Sequence, residues 1–243
     1  MRVAILSDIH GNLVALEAVL SELACEPIDQ VVCLGDVAVL GPQPRQVVGR
    51  LRDLNCPVVM GNTDAWVLNP WPHETRDEDS VRVKEVEEWC AAQLTAADLD
   101  TLRTFQPTIE IALGGDATLL GYHGSPHSYH DVMRVTTPDE EIGRMVGGRR
   151  ATVMAGGHTH RPMLRRFETA TLINPGSVGL PFEVQPGGGR PRNPTWAEYA
   201  VVTWQDGRLS VDFRRVPYDL AELQAAVRAT NMPHAEWWLQ DWT

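Results

Sequence analysis

Seven side chains of metal-binding type follow short apolar runs in this sequence, each close to the point where a run ends. They are Asp8, His10, Asp36, Asn62, His123, His158 and His160. Carboxylate oxygens, imidazole nitrogens and one amide oxygen, without a thiolate, suit divalent ions such as Mn, Fe, Zn or Ni. The set disfavours calcium, which takes oxygen ligands only. The sequence therefore predicts a metal site assembled from strand ends.

The opening of the chain shows how such a site is built. Residues 2–6 form an apolar run that predicts a buried strand, and Asp8 and His10 follow it. Side chains two positions apart on an extended backbone point to the same side, so we expect these two to converge. Asn12 then predicts the N-cap of a helix, and a contact with a substrate phosphate is the alternative for its side chain.

The order of the predicted elements brings further polar residues to the same place. Two more apolar runs, at 29–34 and 56–60, predict strands, and helices are predicted between the three strands. A βαβαβ order implies parallel strands with right-handed crossovers. We therefore expect Asp36 and Asn62 to lie beside Asp8 at the carboxyl edge of one sheet.

The second half of the chain adds further strands and the remaining histidines. Residues 65–106 set tryptophans among acidic residues and predict a helical insertion beside the site. Apolar runs that end before His123 and before His158 predict two more strands of the site. Four later runs predict antiparallel strands of a second sheet, at residues 163–167, 170–173, 198–204 and 208–216.

These elements predict a single α/β domain over residues 1–243. We expect a four-layer α/β/β/α sandwich, in which two mixed sheets face each other and helices flank them. The metals should lie at the carboxyl ends of the first sheet's strands. A three-layer, doubly wound sheet is the alternative. A nucleotide-binding protein of that kind is disfavoured because the first turn, DIHGN, lacks the G-x-G-x-x-G pattern.

Composition narrows the class of protein. The 243 residues are 43% hydrophobic and 22% charged, as expected of a globular domain, with a net charge of -11. That charge repels a phosphate backbone, so duplex nucleic acid is not an expected partner. No apolar run reaches the roughly 18 residues of a spanning helix, so no membrane partner is expected either. Trp237, Trp238 and Trp242 predict core packing or a contact in a homo-oligomer.

The four cysteines indicate the cellular compartment. Cys25, Cys33, Cys56 and Cys90 show no close pairing and no CxxC spacing. They predict reduced thiols rather than disulfides or zinc ligands. With no signal-type segment before the first strand, we expect the protein in the cytoplasm.

The metal-binding residues stand in five short motifs whose types and order resemble those of the calcineurin-like metallophosphoesterases. The motifs are Asp8-Ile9-His10, Gly35-Asp36, Gly61-Asn62-Thr63-Asp64, a lone His123, and Gly157-His158-Thr159-His160. The stretch Asn174-Pro175-Gly176-Ser177 is also similar to one in small bacterial and archaeal members. The five motifs extend from residue 8 to residue 160, so the resemblance covers most of the chain.

The resemblance implies a metal-dependent phosphoesterase that acts on a small phosphoester, with phosphodiesters favoured. It implies two divalent ions, with manganese favoured. The ligands of one ion would be Asp8, His10, Asp36 and His160, and those of the other Asp36, Asn62, His123 and His158. Asp36 would bridge the ions. Two ions about 3.5–4 Å apart share a water, lower its pKa and clamp phosphoryl oxygens, so a bridging hydroxide is the expected nucleophile.

Three successive positions, the ligand Asn62 and the two residues after it, have roles that the sequence leaves open. Asn62 and Asp64 are the predicted catalytic residues, Asn62 by also touching a phosphate oxygen. Asp64 either pairs with a neighbouring His or caps the following helix. Thr63 stands where many relatives carry a His that is thought to protonate the leaving group, and a threonine hydroxyl is a poor proton donor. His127 or His130 are the candidate substitutes for that acid.

The expected substrates follow from the presence of Thr63 in place of that histidine. Without a placed acid, we expect activated or aryl diesters, cyclic nucleotides or dinucleotide polyphosphates to react better than alkyl monoesters. The insertion and the glycine-rich loop at 185–194, with Arg190 and Arg192, are the expected pocket walls. Arg161 faces either a substrate phosphate or solvent. The alternative function is a protein-binding scaffold of the same fold that has lost catalysis, which predicts missing ligands.

Overall fold

The structure is a computed structural model that describes residues 1–72, 74–184 and 190–243. Within these residues it contains nine strands and eight helices. The strands are β1 (Arg2–Leu6), β2 (Gln30–Cys33), β3 (Ile109–Gly114), β4 (Ala117–Gly121), β5 (Val153–Ala155), β6 (Met163–Phe167), β7 (Ala170–Asn174), β8 (Trp196–Gln205) and β9 (Arg208–Pro217). The helices are α1 (Leu13–Leu23), α2 (Pro44–Leu54), α3 (Asn62–Leu68), α4 (Glu78–Gln93), α5 (Ala96–Leu102), α6 (Asp139–Val146), α7 (Leu220–Arg228) and α8 (Ala235–Leu239).

Two mixed sheets organise these elements. The first sheet has the strand order β2-β1-β8-β9, and the second has the order β3-β4-β5-β7-β6. In each sheet the strands that lead to the candidate ligands are parallel neighbours: β1 beside β2, and β4 beside β5. The predicted α/β fold with two mixed sheets is confirmed, and the three-layer alternative is wrong.

Three apolar clusters separate the layers, because successive residues of a strand point to opposite faces. Val3 and Ile5 of β1 face the second sheet, and with Val153 of β5 they belong to the core between the sheets. Ala4 and Leu6 face the other way, into the core beneath α1 and α2. Ile142 of α6 covers the outer face of the second sheet. This order is the α/β/β/α sandwich.

The assignment of strands to sheets differs from the prediction. The strands predicted at 198–204 and 208–216 do not belong to the second sheet, since β8 pairs with β1 and extends the first. Val201 and Val202 point to opposite faces of β8, and both are fully buried. A strand that is buried on both faces must lie inside a sheet that is covered on both sides, and the position beside β1 meets this requirement.

The run at 56–60 does not form a regular strand. Val58 makes an isolated parallel bridge to Cys33, and Val59 makes another to Gln106. Pro57 has no backbone N–H to donate to a ladder, which limits pairing at this edge of the sheet. The segment still enters the sheet edge and ends at Gly61, so it delivers Asn62 as expected.

The C-terminal tryptophans pack into the protein. Trp238 and Trp242 are buried in the core beneath the first sheet, and the Trp238 indole N–H donates to the carbonyl of Leu40 at 2.9 Å. The Trp237 N–H donates to Asp79 of α4 at 2.9 Å, so the tail also packs on the region predicted as an insertion. Core packing is confirmed for Trp238 and Trp242. None of the helices in the described residues has the length and apolar character needed to cross a membrane.

Candidate metal centre

One group of candidate ligands combines the end of β1 with the loop after β5. Asp8, His10 and His160 each offer an atom within 4.8 Å of the others. His10 Nε2 lies 3.1 Å from His160 Nε2, and the Asp8 carboxylate oxygen Oδ1 lies 3.3 Å from His160 Nε2. Residues 150 positions apart in the chain thus meet at one point.

A second group lies beside the first. Asp36, His123 and His158 also offer atoms within 4.8 Å of one another. Asn62, at the start of α3, completes this group because its amide oxygen lies 3.0 Å from His123 Nε2. Three of these residues follow the ends of β2, β4 and β5, and the fourth begins α3, so the centre lies at the ends of both sheets.

Asp36 connects the two groups. Its carboxylate oxygen Oδ2 lies 3.4 Å from Nε2 of His123 in the second group. The same oxygen lies 3.8 Å from Nε2 of His10 in the first group. Asp36 is the carboxylate that faces a histidine from each group, which is the position that the resemblance implies for a bridging ligand.

Three of the histidines are held by hydrogen bonds on the side away from the centre. Nδ1 of His10 bonds the carbonyl of Val39 at 2.8 Å, and Nδ1 of His123 bonds the carbonyl of Leu34 at 2.7 Å. Nδ1 of His160 bonds the carbonyl of Leu180 at 2.8 Å. A carbonyl accepts only, so each Nδ1 carries its proton and each Nε2 is directed inward, the usual arrangement for a metal-binding imidazole.

The polar atoms in the centre fit divalent cations. Oδ1 of Asp8 is buried and has no hydrogen-bond partner within the described part of the chain, so it lacks the donor that a buried carboxylate oxygen normally has. The Asn62 oxygen also faces atoms of Asp36, His123 and His158 that accept hydrogen bonds, and a reversed amide would be needed to donate to them. Converging lone pairs from carboxylate, imidazole and amide groups suit ions such as Mn, Fe, Zn or Ni.

The backbone at the ligands differs from the expectation of an extended chain. Asp8 and His10 have φ angles of 54° and 48°, in the left-handed region, so the assumption that alternation alone would align them is wrong. Asp36, His158 and His160 share this conformation, with φ angles of 54°, 67° and 55°. Non-glycine residues occupy this region at a cost, and such strain concentrates at functional sites. The left-handed turns, rather than strand pleating, direct these side chains inward.

The electrostatics of the centre differ from ligand to ligand. Burial and the neighbouring His160 lower the pKa of His10 to about 4, which keeps this imidazole neutral. Burial raises the pKa of Asp36, but His123, His10 and the N–H of Thr63 together outweigh it, so the pKa lies below its ordinary value. A neutral imidazole and an ionised carboxylate are the ligating forms of these groups.

Burial lowers the pKa of His123, but the Asp36 carboxylate outweighs burial and raises this pKa to about 9, and Asp8 likewise raises the pKa of His160 above its ordinary value. These two imidazoles must lose a proton when a metal ion binds, whereas His10 and Asp36 are held in the forms that bind metal.

The fold and these motifs match known proteins. A profile of the calcineurin-like phosphoesterase superfamily domain matches residues 1–206. The chain belongs to the calcineurin-like phosphoesterase superfamily. This result confirms the resemblance found in the five motifs.

Two relatives cover nearly the whole chain, and a third covers about half of it. The crystal structure of a metallophosphoesterase from Sphaerobacter thermophilus has a TM-score of 0.72 and 29% identity, covering 99% of this chain and 97% of its own. The Methanocaldococcus jannaschii protein MJ0912, itself uncharacterized, is 28% identical over 241 residues, covering 97% of this chain and 94% of its own. A symmetrical bis(5'-nucleosyl)-tetraphosphatase from Pectobacterium carotovorum is 30% identical over 117 residues, covering 46% of this chain and 39% of its own.

Asp64 acts on the backbone of the centre. Its carboxylate accepts hydrogen bonds from the N–H groups of Asp36, Val37 and Gly61 at 2.8, 3.0 and 3.1 Å. The bond from Gly61 is the capping interaction at the start of α3, so the geometry favours the capping alternative over pairing with a His. Burial and repulsion from Asp36 raise the pKa of Asp64 to about 7. The Asp64 carboxylate therefore positions Asp36 by accepting a hydrogen bond from the peptide N–H of Asp36.

Sequence reasoning noted the stretch 174–177 but missed its role in holding the ligand loops. The amide of Asn174 donates to the carbonyl of Gly157 at 2.6 Å, just before the two histidines of the last motif. The Ser177 hydroxyl donates to the carbonyl of Asp8 at 2.7 Å, and the N–H of Leu180 donates back to it at 2.8 Å. Both side chains are buried. The signal that pointed to them was a run of Asn, Pro, Gly and Ser directly after an apolar strand.

The remaining predicted residues lie in several places. Asn12 caps α1, since its oxygen accepts from the N–H of Ala15 at 3.0 Å, and this prediction is confirmed. The His127 ring packs against Gly147 at the end of α6. The His130 ring stands edge-on to Trp71, with 5.5 Å between their centroids.

The structure describes only residues 190–194 of the predicted glycine-rich wall at 185–194. Residues 185–189 lie outside the described residues. The Arg190 guanidinium bonds the carboxylate of Asp241 at 2.9 and 3.0 Å and lies over the Trp237 ring, 5.5 Å from its centroid. The backbone of Arg192 pairs with that of Glu183. Arg190 is therefore occupied by the C-terminal segment.

Proposed function

We propose that this protein is a phosphodiesterase that depends on two divalent metal ions held by the seven candidate ligands. The observation that carries the proposal is the position of Asp36, whose Oδ2 faces His123 of one group and His10 of the other. When bound, such a pair of ions supplies a water of lowered pKa and positive charge for the phosphoryl oxygens. Nitrogen and oxygen donors without sulfur suit Mn, Fe, Zn or Ni, and manganese is the ion that we favour among these.

The side chains have distinct tasks in this proposal. Asp8, His10 and His160 hold one ion, while Asn62, His123 and His158 hold the other, and Asp36 contributes to both. We also assign to the amide of Asn62, the first residue of α3, a contact with an oxygen of the bound phosphate. The N–H and hydroxyl of Thr63 fix Asp36, and Asp64 fixes the peptide of Asp36 from the other side.

Thr63 also bears on the substrate. Its hydroxyl donates to Asp36 Oδ1 at 2.9 Å, so this group is engaged and is not a proton donor to a leaving group. A basic alkoxide needs a proton as it departs, whereas a phenolate or phosphate leaves without one. We therefore propose aryl diesters and phosphoanhydrides as better substrates than alkyl monoesters. The symmetrical bis(5'-nucleosyl)-tetraphosphatase among the relatives supports testing dinucleotide tetraphosphates as well.

The scaffold alternative is not favoured. It predicts vacant ligand positions, and all seven positions here carry the residues that the superfamily pattern calls for. These side chains also meet in two groups whose atoms lie within 4.8 Å. A cytoplasmic location remains part of the proposal, supported by four free cysteine thiols.

The test combines metal content with turnover. The protein is loaded with Mn²⁺, and bound metal is measured beside hydrolysis of bis-p-nitrophenyl phosphate. We expect two ions per chain, activity that EDTA abolishes, and an Asp36→Asn variant that loses metal and activity together. The matched control is Asp206→Asn, in the β8–β9 turn, where the residue has a φ of 52° that asparagine tolerates.

Two outcomes would reject the proposal. Normal turnover by Asp36→Asn would show that the chemistry does not pass through this centre. A parent that binds no metal and hydrolyses neither bis-p-nitrophenyl phosphate nor p-nitrophenyl phosphate would favour the scaffold alternative.

A further inference from the structure

Two arginines without a carboxylate partner among the described residues lie beside the candidate ligand His158. Arg134 and Arg161 line a cavity of about 240 Å³ together with His158, Thr159 and Phe182. At about 30 Å³ per water molecule, this space has room for a phosphoryl group and part of its hydration. The cavity therefore joins the metal centre to two guanidinium groups.

Two other arginines in the same half of the chain are engaged in ion pairs. The Arg165 guanidinium pairs with Asp139, and that of Arg150 pairs with Glu168 at 3.0 Å. Against an overall charge of -11, the two guanidinium groups that line the cavity give it a local positive charge. An anionic substrate approaching the centre is attracted to these two.

The backbone of Arg134 and the side chain of Arg161 are held in place. The Arg165 side chain donates to the carbonyl of Val135 at 2.9 Å and to that of Arg134 at 3.4 Å, while the N–H of Arg134 donates to the Thr137 hydroxyl at 2.9 Å. These bonds fix the loop that carries Arg134. The Arg161 guanidinium lies over the ring of Phe182, 5.8 Å from its centroid. Positioned guanidinium groups bind phosphate oxygens through paired hydrogen bonds.

A second cavity adjoins the first, and together they form a groove that ends in an apolar wall. This second cavity, of about 220 Å³, shares Arg134 and Arg161 with the first and adds Met133, Pro162 and Met163. Val135, which also lines it, is 61% exposed, a high value for an aliphatic side chain. From the metal centre outward, the groove presents His158, then two cations, then an apolar surface.

From this order we infer that Arg134 and Arg161 form a subsite for a second phosphoryl group of the substrate, with the apolar wall receiving a nucleoside base. The inference rests on the proposed function, because it assigns the phosphoryl group that is hydrolysed to the metal centre. It narrows the substrate class to nucleoside polyphosphates, including dinucleoside polyphosphates. A diester with a single phosphate makes no use of the subsite.

The kinetic test compares two substrates in three proteins. The double variant Arg134→Gln/Arg161→Gln is measured beside the parent and beside Arg208→Gln, a control at the opposite end of the strands of the first sheet. We expect kcat/KM for diadenosine tetraphosphate to fall at least about tenfold in the double variant, because charged hydrogen bonds are lost. For bis-p-nitrophenyl phosphate we expect less than about a twofold change. Equal losses on both substrates, or no loss on either, would overturn the subsite.

A binding measurement keeps the subsite testable if the proposed activity fails. The metal-free proteins in EDTA are titrated calorimetrically with inorganic tripolyphosphate. We expect the parent and Arg208→Gln to bind it at least about tenfold more tightly than the double variant. If tripolyphosphate binding differs in this way but none of the proteins shows turnover, the proposed phosphodiesterase activity is rejected and the anion subsite is retained. Equal binding by all three proteins, or no binding by the parent, overturns the subsite whatever the activity.

Discussion

The hydroxyl of Thr63 donates a hydrogen bond of 2.9 Å to Oδ1 of Asp36, the carboxylate that faces both groups of candidate ligands. The backbone N–H of Thr63 donates to the same oxygen, also at 2.9 Å. Oδ2 is thereby left to face His10 and His123. Thr63 thus orients the carboxylate that faces both groups.

This relationship predicts that Thr63→Val weakens metal binding while Thr63→Ser does not. Valine keeps the N–H bond and the shape but removes the hydroxyl donor, so Asp36 loses one of two bonds on Oδ1. Loss of such an outer contact lowers metal affinity by about 10–100-fold. Titration with Mn²⁺, followed by bound-metal analysis, measures the change. Equal affinities for the valine and serine variants would contradict the role given to the hydroxyl.

Thr63→His tests the missing acid. An imidazole at this position should raise turnover most for substrates with basic leaving groups, such as alkyl monoesters. The substitution also removes the hydroxyl bond to Asp36, so the comparison that isolates the imidazole is with Thr63→Val. Steady-state rates for a series of aryl and alkyl esters measure the effect. If the ratio of alkyl to aryl rates is the same in both variants, the acid lies elsewhere, and His127 and His130 are the next to test.

Two buried serines beside Asp8 should respond oppositely to removal of their hydroxyls. Ser177 Oγ donates to the carbonyl of Asp8 and accepts from the N–H of Leu180, so Ser177→Ala leaves both without this partner. We expect a loss of about 1–3 kcal/mol in the free energy of unfolding. Ser7 Oγ is buried and makes no hydrogen bond within the described residues, so Ser7→Ala should be neutral or stabilising. Urea denaturation of the two variants decides between them, and equal losses would contradict the prediction.

Gly157 should not tolerate a side chain. A Cβ at this position would lie 2.1 Å from Ser7 Oγ and 2.9 Å from Asp8 Oδ2. We expect Gly157→Ala to destabilise by roughly 1–3 kcal/mol, as overpacking does, and to weaken metal binding by displacing Asp8.

A double variant and a control sharpen this prediction. Ser7→Ala in the Gly157→Ala background should recover part of the stability, since it removes the closest atom. Gly49→Ala, in α2, is the control, because its Cβ would meet nothing nearer than the Arg52 side chain at 3.7 Å. That variant should gain up to about 1 kcal/mol from helix propensity. Thermal unfolding of the three variants tests the ranking, and a Gly157→Ala protein as stable as the parent would contradict it.

Much of the fold could be predicted because many helices, strands and turns are determined by residues that are neighbours in the chain. The apolar run at β1 and the cap at Asn12 depend only on neighbours in the chain, and the structure reproduces both. The Asp206-Gly207 turn does so too, with positive φ at both residues as a tight hairpin requires. The five motifs were sufficient to predict the family, because each ligand follows an apolar run in the sequence whichever sheet that run joins.

The sequence by itself determined the ligand types, the strand ends that carry them and the two-sheet architecture. Only the tertiary structure decided that β8 joins β1, that both sheets contribute ligands, and that left-handed turns aim Asp8 and His10. It alone also placed Arg134 beside Arg161. The reason is physical: strand pairing and loop contacts join residues far apart in the chain, and their energies depend on shape and burial that no local pattern encodes.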